Sequence, residues 1–271
     1  MNTDDPAGTS PRIVTRDVWL AARRQLLEQE KALTRQRDAL SAARRELPWV
    51  KVDKRYVFDT PEGQQTLAQL FEGRSQLIVY HFMWRHDMND GCVGCSFLAD
   101  HIDGANQHLM HHDVSFVVVS RAPLATLEAY RKRMGWRFRW ASSWKSDFNY
   151  DFHVSFTSEQ MATGKVAYNF ETTDAVLEEL PGLSVFFKDS RGDVYHTYSR
   201  YGRGNDDLLG AYMYLDLTPK GRNETGPARS MTDWVRHHDR YGAGGSVDAT
   251  GAYHPDESES ARPCCAEGRR G

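Results

Sequence analysis

The sequence is poor in cysteine, with four thiols in 271 residues, at Cys92, Cys95, Cys264 and Cys265. Four in a chain of this length do not build a disulfide scaffold, and in a reducing compartment a close pair serves catalysis or metal binding. Long apolar runs are also missing. Runs such as Leu77 to Tyr80 and Phe116 to Val119 are of strand length and far too short to cross a bilayer. Nor is there an excess of one charge: the formal net charge is −3, which gives no pull toward nucleic acid or an anionic membrane. Met1 to Pro11 is polar, with no basic stretch leading into an apolar one. No secretory signal is read there, and a soluble, cytoplasmic protein is expected.

Hydrophobic residues make up 40% of the chain and aromatics 11%, enough for one elaborated domain with a sizeable core. Residues 1–14 read as a tail. From Thr15, a candidate helix cap, Trp19, Leu26, Leu33, Leu40 and Leu47 recur every seven residues until Pro48 stops the pattern. Residues 15–47 are expected as an N-terminal helix or helical hairpin packed on the body. A homodimer formed through the helix is the other use of that stripe. Gln76 to Trp84 (QLIVYHFMW) and Asp113 to Ser120 (DVSFVVVS) have the texture of strands buried on both faces. Between them, Phe97, Leu98, Ile102, Ala105 and Leu109 fall at helical spacing, giving a helix over Cys95 to His112.

Leu124 to Met134 reads as a second helix ended by Gly135, followed by a short strand over Arg137 to Ala141 and a helical turn over Asp147 to His153. Residues 154–182 have no clean period and read as an insertion. Leu183 to Lys188 and Val194 to Ser199, joined by a turn at Gly192, form a hairpin. Asp206 to Leu215 is a closing helix and Met231 to His238 a short amphipathic one. The folded domain is expected over residues 48–241. From Gly242 the chain is rich in Gly and Ser and reads as a disordered tail carrying Cys264 and Cys265. Strand, helix, strand, helix and a late hairpin imply an α/β fold with a parallel pair and antiparallel edge strands.

Cys92-Val93-Gly94-Cys95 stands after a strand and loop, at the start of a helix. A thiolate there is stabilised by unpaired backbone N–H groups and the positive end of the helix dipole, which lowers its pKa. The second thiol, three residues on, lies on the same side and can attack a mixed disulfide. Gly91 and Gly94 suit a close turn and leave the first sulfur reachable. His86, Asp87 and Asp90 line the loop before the motif, where solvated side chains are the expectation.

The phrases LPWV, GRSQLIVYHFMW, GCVGCSFLADHIDGANQHL, YNF, LPGLSVFFKD and TPKGRNETGP carry a resemblance, together with the run VVVSRAPLATLEAYRKRMGWRFRWASS. The chain resembles the thioredoxin-like superfamily in its peroxiredoxin branch. It is more closely similar to bacterial proteins of the domain-of-unknown-function 899 family. The resemblance implies a thioredoxin-like mixed sheet flanked by helices, with an added N-terminal helix and a C-terminal helix and tail. It implies a dithiol–disulfide oxidoreductase in which Cys92 attacks and Cys95 resolves. His81 falls on the strand where thioredoxins carry a buried acid, so it is a candidate proton relay or, equally, a core histidine. Pro181 lies where thioredoxins place a cis-proline, but Gly182 and Leu183 intervene before Ser184, so an ordinary turn proline fits as well. Met83 to Gly91 lacks the Thr and Pro that peroxiredoxins need, and Glu178 to Ser184 lacks their Arg, which makes peroxidase activity the weaker reading.

Other uses of the pair stay open at this level. Zinc would need further ligands, with Cys264, Cys265, His111 and His112 available, and two inert buried cysteines or a non-catalytic binding protein are alternatives. The tail cysteines are either an accessory redox arm or an incidental pair. Trp136, Phe138 and Trp140 alternate with Arg137 and Arg139; this fits a buried strand face better than a nucleic-acid platform. The reaction needs no dissociable cofactor. The expected partner is a protein or small-molecule thiol or disulfide, with neither nucleic acid nor membrane.

Overall fold

The computed structural model describes residues 11–85 and 88–256. These divide into two compact units, one up to Pro48 and one from Trp49. The first is a single helix, α1 (Arg16–Arg45), rather than a hairpin. Thr15 stands at its N-cap, Asp17 lies in the first turn and Arg44 and Arg45 in the last, so its charges complement the helix dipole. None of its residues is buried, and Trp19, Leu26, Leu33 and Leu40 each stay about half exposed.

The second unit begins with β1 (Val50–Lys51), β2 (Val57–Thr60), β3 (Gly63–Thr66) and β4 (Gln76–His81). Then come α2 (Val93–Ala99), α3 (Ile102–His111), β5 (Val114–Ser120), α4 (Leu124–Arg133), β6 (Arg139–Ser142) and α5 (Phe148–Asp151). α6 (Ser158–Ala162), β7 (Lys165–Tyr168), β8 (Glu171–Asp174), β9 (Gly182–Lys188) and β10 (Val194–Tyr201) follow. The described chain closes with α7 (Gly210–Leu215), β11 (Ser246–Val247) and β12 (Tyr253–His254). Eight strands form one sheet in the order β1-β10-β9-β4-β5-β6-β2-β3. β4, β5 and β6 run parallel, while β9 is antiparallel to both β4 and β10. A βαβ unit joined to an antiparallel hairpin, in the order β10-β9-β4-β5, is the thioredoxin-like arrangement that the resemblance implies.

Side chains alternate across a strand, so β4 serves two cores. Leu77 and Val79 join Val117, Val119, Phe58, Phe148 and Phe186 on one face. Tyr80 joins Phe116, Val118, Trp140 and both cysteines on the other. Trp136, Phe138 and Trp140 are buried in that second core, so their alternation does mark an interior face.

Several expectations need correction. The helix expected over Cys95 to His112 breaks at Asp100 and His101. The Asp100 carboxylate there accepts from Trp136 Nε1 (2.8 Å) and His238 Nδ1 (2.6 Å), and His101 Nε2 accepts from the Ala211 N–H (3.0 Å). The insertion contains a hairpin, β7–β8, whose tip residues Asn169 and Phe170 both have positive φ. The closing helix begins as a 3-10 segment over Gly202–Leu208 before α7. Met231 to His238 is not an amphipathic helix but two 3-10 turns, Met231–Asp233 and His238–Arg240. A Ser230–Asp233 capping box tightens the first, and the stretch between them is pinned because Val235 and His237 are buried.

The expectation of disorder from Gly242 fails over residues 242–256. Asp248 Oδ1 accepts from the Thr250 N–H, the Thr250 hydroxyl and the Ala252 N–H, and its Oδ2 pairs with His254 Nε2. One carboxylate thus organises a hairpin that composition alone reads as loose. Cys264, Cys265, His86 and Asp87 lie outside the described residues. No helix among the described residues is long and apolar enough to cross a membrane.

Candidate active site

β4 ends at His81; the Phe82 N–H still donates to Val119 O (2.9 Å), and Phe82 to Arg85 then run outside any regular element. Gly91 makes that turn possible: a Cβ there would lie 2.7 Å from the Phe82 ring. Cys92 is the N-cap of α2 and Cys95 lies in its first turn. Ser96 Oγ donates to the Cys92 carbonyl (2.8 Å) and shares a 2.9 Å hydrogen bond with the Tyr130 hydroxyl, which fixes the turn from within the core. Both cysteines are free thiols and both are buried.

The two sulfurs have been driven apart in acidity. The Cys95 thiol donates a hydrogen bond to Cys92, and the N–H groups of Cys95 and Gly94 and the Arg85 guanidinium add to it. Against the opposing effect of burial, these bring Cys92 down to about 7. Burial and the neighbouring Cys92 push Cys95 well above the ordinary thiol value, partly offset by the Tyr80 hydroxyl and the Met83 N–H (3.5 Å). Cys92 is therefore the more acidic sulfur and Cys95 the one that keeps its proton, the order that an attacking and a resolving sulfur require.

His81 is not brought to the cysteines. It follows Tyr80 on β4, so its side chain enters the opposite core and stacks on Phe148 (ring centroids 5.5 Å). There its Nε2 bonds Ser184 Oγ (2.9 Å), and burial together with nearby His196 pushes its pKa down to about 3. It is a neutral core histidine, and the residue that faces Cys95 is Tyr80. The proton-relay expectation missed by one residue, which in a strand means the wrong face.

Two other groups escaped the sequence reading. Glu179, buried at the end of the 154–182 insertion, accepts from the Trp84 N–H (2.8 Å), and burial raises its carboxyl to about 8. The Met83 and Trp84 amides are adjacent, so consecutive N–H groups serve Cys95 and Glu179. Arg85 reaches the other way, donating to Thr250 O (3.2 Å) and Oγ1 (3.1 Å). No local pattern marks either residue, because their partners are far away in sequence.

The C-terminal segment completes the site. The Val93 N–H donates to Gly251 O (2.9 Å), and a Cβ on Gly251 would lie 2.9 Å from Cys92 Sγ. Gly251 also has φ +83°, where only glycine sits without strain. Met231 Sδ packs over Gly94, 2.8 Å from where a Cβ would be. The glycines of the motif therefore admit close neighbours instead of leaving the first sulfur reachable, and Cys92 is only 6% exposed. A cavity of about 280 Å³ remains beside both cysteines, walled by Leu98, Leu177, Leu180, Pro181, Leu209 and Met231. Pro181 is thus at the site but in trans, since the described residues contain no cis peptide bond. No group of three or more His, Cys, Asp or Glu among the described residues could hold a metal ion, and His111 and His112 do not join the cysteine pair.

Among solved structures, the chain is similar to a peroxiredoxin Q from Xanthomonas campestris, at 13% identity over 58% of this chain and 90% of that one, with a TM-score of 0.40. It is similar to the peroxidoxin BcpB from Mycobacterium tuberculosis (13%, 62% and 97%, TM-score 0.38). It is also similar to a candidate thiol:disulfide interchange protein, DsbE, from Chlorobium tepidum (10%, 61% and 98%, TM-score 0.37). No curated protein matches the sequence. The profile of one family, described as bacterial proteins of unknown function (DUF899), matches residues 8–241 and so spans α1 and the cysteine motif, and the chain belongs to that family.

Proposed function

We propose that this protein is a dithiol–disulfide oxidoreductase. The observation that carries the reading is the placement of one buried pair of free thiols, Cys92 as the N-cap of α2 and Cys95 in its first turn, an arrangement that lowers the first sulfur's pKa and raises the second's. In the reductive direction, the Cys92 thiolate attacks a substrate disulfide. One substrate sulfur leaves as a thiolate and Cys92 carries the other as a mixed disulfide. The Cys95 proton passes to the leaving sulfur, with the Tyr80 hydroxyl in contact to steady the new thiolate. Cys95, now the thiolate, then attacks Cys92 Sγ, releasing the second substrate sulfur as a thiolate that takes its proton from solvent and leaving the Cys92–Cys95 disulfide. Two electrons move from the protein to the substrate; no metal or dissociable cofactor takes part, and a dithiol reductant resets the pair. A reducing, cytoplasmic setting belongs to the same proposal, because there such a reductant keeps the pair as thiols.

A Cys95→Ser variant offered a disulfide should accumulate a mixed disulfide at Cys92 by mass spectrometry, while wild type forms the internal disulfide. A wild-type protein whose Cys92 and Cys95 never join under an oxidising thiol buffer sinks the proposal. The reduction potential of the pair, measured in the same buffers, gives the direction of electron flow.

A further inference from the structure

Resting on that reading, we infer that the substrate is a small, uncharged disulfide with apolar arms, and that the segment from Met231 to Tyr253 selects for it. A thiolate reached by a protein disulfide must be open on the side from which the target backbone approaches. Here that side is taken. Gly251 sits on Cys92 Sγ and Met231 on Gly94. The segment is tied down at separated points: Gly251 O to the Val93 N–H, Thr250 to Arg85, and His237 Nε2 to Gly91 O (2.8 Å). The Asp248 carboxylate holds the covering turn itself together.

The approach left is the cavity beside the pair. At about 280 Å³ it lies at the lower edge of ligand-pocket sizes, roughly 300–1,000 Å³. Its walls are mainly leucine, methionine and proline side chains, with the neutral polar groups of Tyr80, Asn205, Thr232 and Thr250 among them. The charged residues at its rim, Arg203 and Asp206, are already paired with each other (3.1 Å), and Asp206 also with Arg222 (3.1 Å). A substrate carboxylate would lose its hydration among these walls, since the one cation of the lining, Arg203, stands exposed at the rim and is balanced by Asp206, whereas an alkyl arm gains by burial. The Cys95 proton goes to the first departing alkyl thiolate inside the same cavity, and the second alkyl sulfur, expelled as a thiolate when Cys95 attacks, takes its proton from solvent.

The test is single-turnover oxidation of the reduced full-length protein. Its readout is the two-hydrogen mass loss of the Cys92–Cys95 pair, with dipropyl disulfide, oxidised glutathione and insulin as probes. Each rate is divided by that of dithiothreitol with the same probe, which removes the probe's own reactivity. Dipropyl disulfide should lead both others by about ten-fold or more. In Met231→Ala that lead should shrink through a faster glutathione rate. Equal normalised rates in wild type overturn the substrate class while leaving the oxidoreductase standing. A lead that is unchanged in Met231→Ala removes the covering segment from the explanation. Oxidation by none of the three probes takes down both readings.

Discussion

Replacing Cys95 with alanine tests the electrostatic core of the site. The largest influence holding Cys92 at about 7 is the hydrogen bond donated by the Cys95 thiol, and burial works against it. A hydrogen bond to a charged group contributes about 1.5–3 kcal/mol. At about 1.4 kcal/mol per pKa unit, its loss should raise Cys92 by roughly one to two units. The thiolate fraction at neutral pH would fall accordingly. Cys95→Ser keeps an O–H donor in nearly the same place and should hold Cys92 near its wild-type value. Thiolate absorbance at 240 nm against pH reads both variants directly, provided Cys264 and Cys265 are serine in every protein compared. The reasoning is refuted if the alanine variant still titrates near 7, which would assign the depression to the α2 amides and Arg85. It is equally refuted if serine and alanine shift alike.

Other outcomes follow from the same geometry. The Glu179 carboxyl is raised from 4.5 to about 8, so the folded state holds this proton more tightly than the unfolded chain does. Its contribution to stability is full below pH 4.5 and falls away as pH rises to about 8, on the order of a few kcal/mol. Glu179→Gln should flatten that part of the pH–stability curve in urea unfolding, and an unchanged slope would contradict the burial argument. Gly251→Ala places a methyl against Cys92 Sγ at positive φ. It should lift the covering turn, speeding iodoacetamide alkylation of Cys92 and lowering stability by about 1–2 kcal/mol; slower alkylation would show that the turn stays down. Tyr80→Phe removes the hydroxyl that faces Cys95, so stopped-flow should show a longer-lived mixed disulfide with an unaltered first step. His81→Asn should cost stability through lost packing on Phe148 yet leave the Cys92 titration in place; a moved Cys92 pKa would restore the relay.

The sequence was legible where physics is local. The heptad leucines, Thr15 and Pro48 bracket α1, and the apolar texture of Gln76 to His81 and Val114 to Ser120 marks strands covered on both faces. It was less legible where one residue of phase matters. His81 drew attention for its chemistry, but the strand period sends Tyr80 to the cysteines, and phase becomes visible only once both faces have their cores. It failed where long-range partners override composition. Asp100 broke a helix for the sake of Trp136 and His238, and Asp248 made a turn out of Gly-rich chain.

The motif itself stands between these cases. Spacing and place at a helix start were enough to nominate Cys92 and Cys95, because helix geometry and the thiolate's need for N–H donors are local requirements. How the pair is dressed was decided by the tertiary structure alone. Glu179 comes from the insertion, Arg85 is anchored on Thr250, and Gly251 covers the sulfur from more than 150 residues away in the chain. Such distances are closed only in the folded core, so no window of sequence around the cysteines contains the information that a covered, largely apolar chamber surrounds them.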